Sequence, residues 1–291
     1  MQLVRSSDGV HVALHDLGGD GPPLLLTHAT GFCGPVWRPV AERLADHFHC
    51  WAPDLRGHGR AETPEGLDYR WRGFADDVLA IVEHLRSEEG GIGDGPLLAA
   101  GHSKGGAALL LAEQRRPGTF AGLYCFEPVV FPGEPIDPDD TGSSGSGGGN
   151  HLAEGALRRR ATFASAQDAY ANFSSKPPLN VLHADALRAY VEGGFREEAD
   201  GSVTLRCRPV DESQVYRMGG QHGAFAHLGD VAIPVTVATG VRDPVGPAAF
   251  APHIAEALPH GELVVFDHLG HFGPLEDPDA VAMSILDALR P

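Results

Sequence analysis

Cysteine is sparse in this chain of 291 residues: Cys33, Cys50, Cys125 and Cys207 stand far apart, with no CxxC spacing. That scatter excludes a disulfide framework and a recognisable thiolate metal site. Reduced thiols in apolar segments, acting as small hydrophobes, are expected instead. Cationic charge is also short. Lys and Arg total 22 against 39 Asp and Glu, a formal net charge of −17, which argues against nucleic acid or an anionic membrane as partner. No apolar run approaches the roughly twenty residues of a membrane span, and the first residues lack the apolar stretch of a signal peptide. The 16 histidines fall in no ligand pattern, so no metal and no cofactor are expected. These absences leave a cytoplasmic protein, monomer or homodimer, whose partner is a small molecule. Apolar residues at 42% suffice for a large core without such supports.

Short apolar runs alternate with helical spacing. Val10 to Leu17 alternates as a hairpin strand, and Leu24 to Thr27 is a continuous apolar run ending at His28, as in a strand buried on both faces. Helical spacing follows over Val36 to Phe48, a strand over His49 to Pro53, and a helix over Phe74 to Leu85. Leu97 to Ala100 and Gly122 to Phe126 are further strands. The pattern resumes with a strand at Pro234 to Thr239, helix Ala248 to Leu258, strand Glu262 to Phe266 and helix Ala280 to Leu289. Such alternation predicts an α/β fold with a mostly parallel central sheet covered by helices on both faces. Between the two halves, Leu152 to Phe173 and Val181 to Phe195 read as helical. Residues 1–130 and 229–291 are therefore expected to form the core domain, and 131–228 an inserted, mainly helical cap with a mobile Gly/Ser-rich loop at 139–150.

The chemistry centres on Gly101-His102-Ser103-Lys104-Gly105, between a predicted strand and a small-residue helix. A serine in so sharp a turn needs glycine two residues to either side, and the turn lifts the hydroxyl clear of the sheet. Serine is a weak nucleophile unaided, so a base, an orienter and oxyanion donors must accompany it. His271 is the expected base, in a glycine-containing loop after the last strand, ahead of its neighbour His268. Asp243, after the preceding strand, is the expected acid. Glu127, after the strand that follows the elbow, is its rival. The order Ser, Asp, His suits this architecture.

On these residues the chain resembles the serine-type α/β-hydrolase-fold family, in its capped branch acting on small molecules. The resemblance spans about Gly9 to Leu289 and rests on four motifs in order: His28-Ala29-Thr30-Gly31-Phe32, Asp54-Leu55-Arg56-Gly57-His58-Gly59, the serine turn, and the Asp243/His271 pair. It implies the α/β-hydrolase fold, catalysis by Ser103, Asp243 and His271 (Glu127 as alternative acid), and an oxyanion hole from the backbone amides of Lys104 and of Ala29 or Thr30. Alanine at position 29 replaces the family's first loop glycine. Serine at position 103 sets the chain apart from relatives that use aspartate there, the haloalkane dehalogenases and epoxide hydrolases.

The expected activity is hydrolysis of an ester, thioester or lactone of a small organic substrate through an acyl-enzyme. Carbon–carbon bond hydrolysis of a diketone and a receptor-like protein with vestigial activity are the alternatives. Phe32 and Phe131 are expected to touch substrate, while Phe163, Phe173 and Tyr190 read equally well as core. The side chain of Lys104 is expected at the cap, an anionic substrate group or the surface. Arg158-Arg159-Arg160 reads as a solvated helix end rather than an anion site.

Overall fold

The computed structural model describes residues 1–133, 150–242 and 246–290. Most of the Gly/Ser-rich loop expected at 139–150 lies outside the described residues. Among those described, one sheet runs through the centre. Its strands are β1 (Gln2–Arg5), β2 (His11–Gly18), β3 (Pro23–Thr27), β4 (His49–Asp54), β5 (Leu98–His102), β6 (Gly122–Phe126), β10 (Val235–Gly240) and β11 (Gly261–Phe266). They lie in the order β1-β2-β4-β3-β5-β6-β10-β11. β1 and β2 pair antiparallel, as do β2 and β4; the remaining neighbours are parallel.

Side chains alternate across a strand, and β3 shows the result. Leu25 belongs to one continuous core that also takes in Phe74 and Val78 of α2 (Trp71–Arg86), Leu109 of α3 (Lys104–Arg115) and Ile254 of α8 (Pro247–Ala257). Leu24 and Leu26 face the other way, toward Val40 and Leu44 of α1 (Arg38–Leu44) and Ile285 and Leu286 of α10 (Pro278–Leu289). Both faces are thus covered, which is why the central strands read as unbroken apolar runs. The helical spacing expected over Val36 to Phe48 is realised as a 3-10 turn at Gly34–Trp37 followed by α1. The carbonyl of Leu44 accepts both His47 N–H and Phe48 N–H, and the chain turns there into β4.

Between β6 and β10 lie α4 (His151–Arg158), β7 (Thr162–Phe163), α5 (Ala166–Ser175), α6 (Ala184–Gly194), β8 (Phe195–Glu197), β9 (Val203–Leu205) and α7 (Pro209–Arg217). The continuous helix expected over Leu152 to Phe173 is two helices with an extended break. Arg159 has ψ near 140°, and Ser165 caps α5 by accepting from Asp168 N–H. Threonine and phenylalanine at the break favour a strand, and β7-β9-β8 form a small antiparallel sheet absent from the sequence expectation. Phe163, Phe173, Tyr190 and Phe195 pack ring to ring beside it, with centroids 5.5–6.0 Å apart. α6 lies against the 3-10 turn and α1. This segment is thereby set over the C-terminal edge of the central sheet. Among the described residues, no helix is long and apolar enough to cross a membrane.

Candidate active site

Ser103 sits between β5 and α3 at φ 55° and ψ −116°, a backbone region that L-residues rarely occupy. The flanking glycines make this possible. A Cβ at Gly101 would come 2.6 Å from Gly106 N, and one at Gly105 would come 2.3 Å from the Thr27 carbonyl oxygen. The turn is tied down from both sides: Ser103 N–H donates to Phe126 C=O at 2.9 Å, while Ser103 C=O accepts from Ala107 and Val129 at 3.1 and 3.2 Å. Ser103 is 5% exposed.

His271 Nε2 stands 3.2 Å from Ser103 Oγ. Its Nδ1 lies 2.6 Å from Glu127 Oε2. With Nδ1–H donating to that carboxylate, Nε2 carries the lone pair and can accept the serine proton; this tautomer is assigned from the hydrogen-bond partners. Glu127 is 1% exposed. Its other oxygen, Oε1, accepts from Gly240 N–H at 2.9 Å and Thr239 Oγ–H at 3.0 Å. One carboxylate therefore joins the ends of β6 and β10 to the loop after β11. Like Ser103, Glu127 has positive φ, 43°.

The carboxylate at His271 is thus Glu127, which the sequence ranked second; Asp243 lies outside the described residues. His268 is exposed and bonds Asp267 and Asp277 at 3.1 and 3.2 Å. Those carboxylates hold its imidazolium above the usual histidine range. His102, which the sequence reading passed over, donates through Nε2–H to His271 C=O at 2.7 Å. Burial, then the nearby His271, keep His102 far below the usual histidine pKa. It is a neutral donor that pins the loop carrying His271. Only its place inside the serine turn could have drawn attention to it.

For the oxyanion, Lys104 N–H is the first amide of α3, and first-turn amides have no acceptor within their helix. The loop after β3 turns at Gly31, φ 82°, and Phe32 N–H returns to Ala29 C=O at 3.3 Å. The amide of Phe32 is thereby engaged, which leaves Ala29 and Thr30 as the candidate second donors. The side chain of Lys104 departs from expectation. It is 1% exposed, with Nζ 4.9 Å from the Phe74 ring centroid and 3.4 Å from His58 Nδ1. Burial pushes its pKa down to about 7. It faces the core, not a substrate. Arg56 is equally buried and is held by Asp77 and Asp8 at 2.9–3.0 Å, a structural role.

Beside the loop Thr30–Phe32 and Phe272 opens a cavity of about 380 Å³, walled by residues of α4, α5 and α6 and by Phe163 of β7, with Phe173 and Tyr190 among them. Phe32 lines it. Phe131 does not line it; its ring lies 5.3 Å from that of Phe250 on α8. Arg159 also corrects its reading as part of a solvated helix end. Its guanidinium donates to Glu212 Oε2 at 2.6 Å and to Tyr190 Oη at 2.5 Å, and it lines the cavity. Gly31, at φ 82°, lies beneath this pair, and a Cβ added there would also come 2.5 Å from Glu212 Oε1. No spacing in the sequence links Glu212 to the loop at Gly31.

Comparison with known proteins bears on the family to which this fold belongs. Residues 24–284 match the alpha/beta hydrolase family. The putative carbamate hydrolase RutD of Agrobacterium fabrum is 27% identical over 97% of this chain and 98% of its own. The 2-(acetamidomethylene)succinate hydrolase of Mesorhizobium japonicum is 24% identical over 92% of this chain and 87% of its own. A solved structure of E-2-(acetamidomethylene)succinate hydrolase superposes with a TM-score of 0.78 at 21% identity, covering 100% of this chain and 98% of that one. On the family match, which spans most of the sequence, the chain belongs to the alpha/beta hydrolase family and is a hydrolase.

Proposed function

We propose that the protein is a serine hydrolase that cleaves an ester, thioester or lactone of a small organic substrate through an acyl-enzyme on Ser103. The observation that carries this reading is the chain of contacts from Ser103 Oγ through His271 to Glu127. Ser103 Oγ attacks the carbonyl carbon while His271 Nε2 takes its proton. Glu127 fixes the imidazole tautomer and stabilises the imidazolium. The amides of Lys104 and of Ala29 or Thr30 hold the oxyanion, and one such donor typically contributes about 2.7–4 kcal/mol. His271 then protonates the leaving group. In the second half it draws a proton from water, which attacks the acyl carbon and frees Ser103. The segment over the cavity serves as the cap that shapes the substrate.

A second bond type is favoured by the named relatives: a carbamate for one, an acetamidomethylene compound for another. The same serine chemistry opens an amide or carbamate carbonyl. Profiling with p-nitrophenyl esters of graded acyl length, then lactones, then carbamates ranks these classes.

A fluorophosphonate probe is expected to label Ser103, and Ser103→Ala to abolish both labelling and turnover, with kcat reduced about 10³-fold or more. Wild-type protein that resists the probe, or a Ser103→Ala variant that keeps its activity, overturns the proposal.

A further inference from the structure

The cavity beside the oxyanion loop has a charge opposite to that of the protein. The chain carries −17 overall, yet Arg159, Arg160 and Lys176 all line this space, with Glu212 as the lining carboxylate among the described residues. Glu212 is spoken for. Its Oε2 accepts from Arg159 at 2.6 Å, and both side chains are mostly buried, 6% and 20% exposed. That pair cancels itself.

Arg160 and Lys176 have no such compensation. Arg160 Nε–H donates to the neutral carbonyl of Thr162 at 2.8 Å, and its guanidinium stacks 4.3 Å from the Phe163 centroid. Lys176 Nζ donates to the neutral amide oxygen of Asn172 at 2.9 Å. Neither has a carboxylate partner among the described residues. Both therefore present uncompensated positive charge at the solvent-exposed side of a space that also has apolar and aromatic walls, where salt screens charge pairing.

We infer that this cavity selects substrates carrying a carboxylate set a few carbons away from the scissile carbonyl. Ser103 and His271 do not line the cavity, which meets the site through the oxyanion loop at Thr30 and Gly31; on this inference the scissile group lies at that loop and the carboxylate reaches toward Arg160 and Lys176. Arg159 contributes in a different way. Held by Glu212 and Tyr190, it sits beside the oxyanion loop as a fixed wall, with one terminal nitrogen 3.3 Å from where a Gly31 Cβ would lie. The apolar spacer of the substrate packs against Phe32, Phe163 and Phe173. This inference rests on the hydrolase reading above and names its substrate class.

Binding, rather than turnover, tests it. Ser103→Ala protein is titrated calorimetrically with glutarate and with the neutral isostere glutaramide. Glutarate is expected to bind at least about tenfold more tightly at low ionic strength, with the gap closing as salt is raised. In Ser103→Ala protein also carrying Arg160→Gln and Lys176→Gln, the gap narrows about fivefold or more, two lost charge pairs at a partly exposed site. Both replaced side chains are exposed, and an unfolding midpoint confirms that the variant folds. Equal affinity for the two ligands, failure of glutarate to bind, or a gap indifferent to the two substitutions overturns the inference. Labelling of Ser103 by the fluorophosphonate stands or falls separately, so failure of this inference is distinguishable from failure of the hydrolase reading.

Discussion

A hydrogen bond of 2.6 Å between His271 Nδ1 and Glu127 Oε2 is the contact on which the catalytic assignment turns. Glu127→Gln keeps the side-chain shape but replaces the charge, so the imidazolium loses its counter-ion and the tautomer is no longer enforced. Turnover is expected to fall about 10³- to 10⁴-fold with KM little changed. Steady-state kinetics on Glu127→Gln beside Asp243→Asn makes the comparison. Loss confined to Asp243→Asn returns the acid to that position. In sequence, Asp243 stands in the more familiar Gly-x-x-Asp setting, and nothing in the residue string decides between them. What favours Glu127 is a backbone turned to φ 43° at the end of β6, together with donors from Thr239 and Gly240 one strand away. Positive φ at Ser103 and at Glu127 marks places where backbone comfort yields to the geometry of the site.

At the scale of elements, the serine turn was legible because its constraints are local. The apolar run of β5, the glycines and the small residues of α3 all lie within about fifteen consecutive positions, and each has one steric reason. Gly105→Ala tests this packing. Its Cβ would enter the backbone of Thr27 and His28, at 2.3 and 2.9 Å from their carbonyl oxygens, where nothing flexible can yield. A loss of about 3 kcal/mol in folding stability is expected, at the upper end for overpacking, and read as a lower urea midpoint. A midpoint equal to wild type refutes the steric account. The segment between β6 and β10 was less legible. The spacing of Leu152 to Phe173 is helical, but the break at Arg159 to Ser165 follows from pairing with β9, some forty residues downstream. Short strands paired at long range leave little periodicity of their own.

Across the whole molecule, buried histidines give stability a pH dependence of known sign. Burial holds His28, His58 and His102 far below the usual histidine pKa, and holds His222 at about 4. The unfolded chain protonates all four near pH 6.5, while the folded chain resists. Their penalty is therefore absent above about pH 6.5 and grows as the pH falls, through about 4 in the case of His222. The slope is at most about 1.4 kcal/mol per pH unit for each histidine. His268, raised by Asp267 and Asp277, works in the opposite sense, but it is exposed and its effect is screened. Urea unfolding at steps from pH 8 to pH 5 is expected to show a falling midpoint, and a flat or rising one contradicts the assignment of these histidines as buried and neutral.

Local constraint separates what the sequence determined from what it did not. The strand–helix alternation, the serine turn and the loop histidine are written within short windows, because hydrophobic period and turn sterics act between near neighbours. Which carboxylate meets His271, that His102 holds its loop, that Lys104 turns into the core, and that Arg159 and Glu212 close over Gly31 all depend on contacts between residues far apart in the chain. Distances of 2.6–2.7 Å across separations of 53 to 169 residues are set by how the sheet and its covering segment pack. So the candidate nucleophile was marked by its own neighbourhood, whereas the residues that meet it and the charge of the cavity beside it were decided only by the tertiary structure.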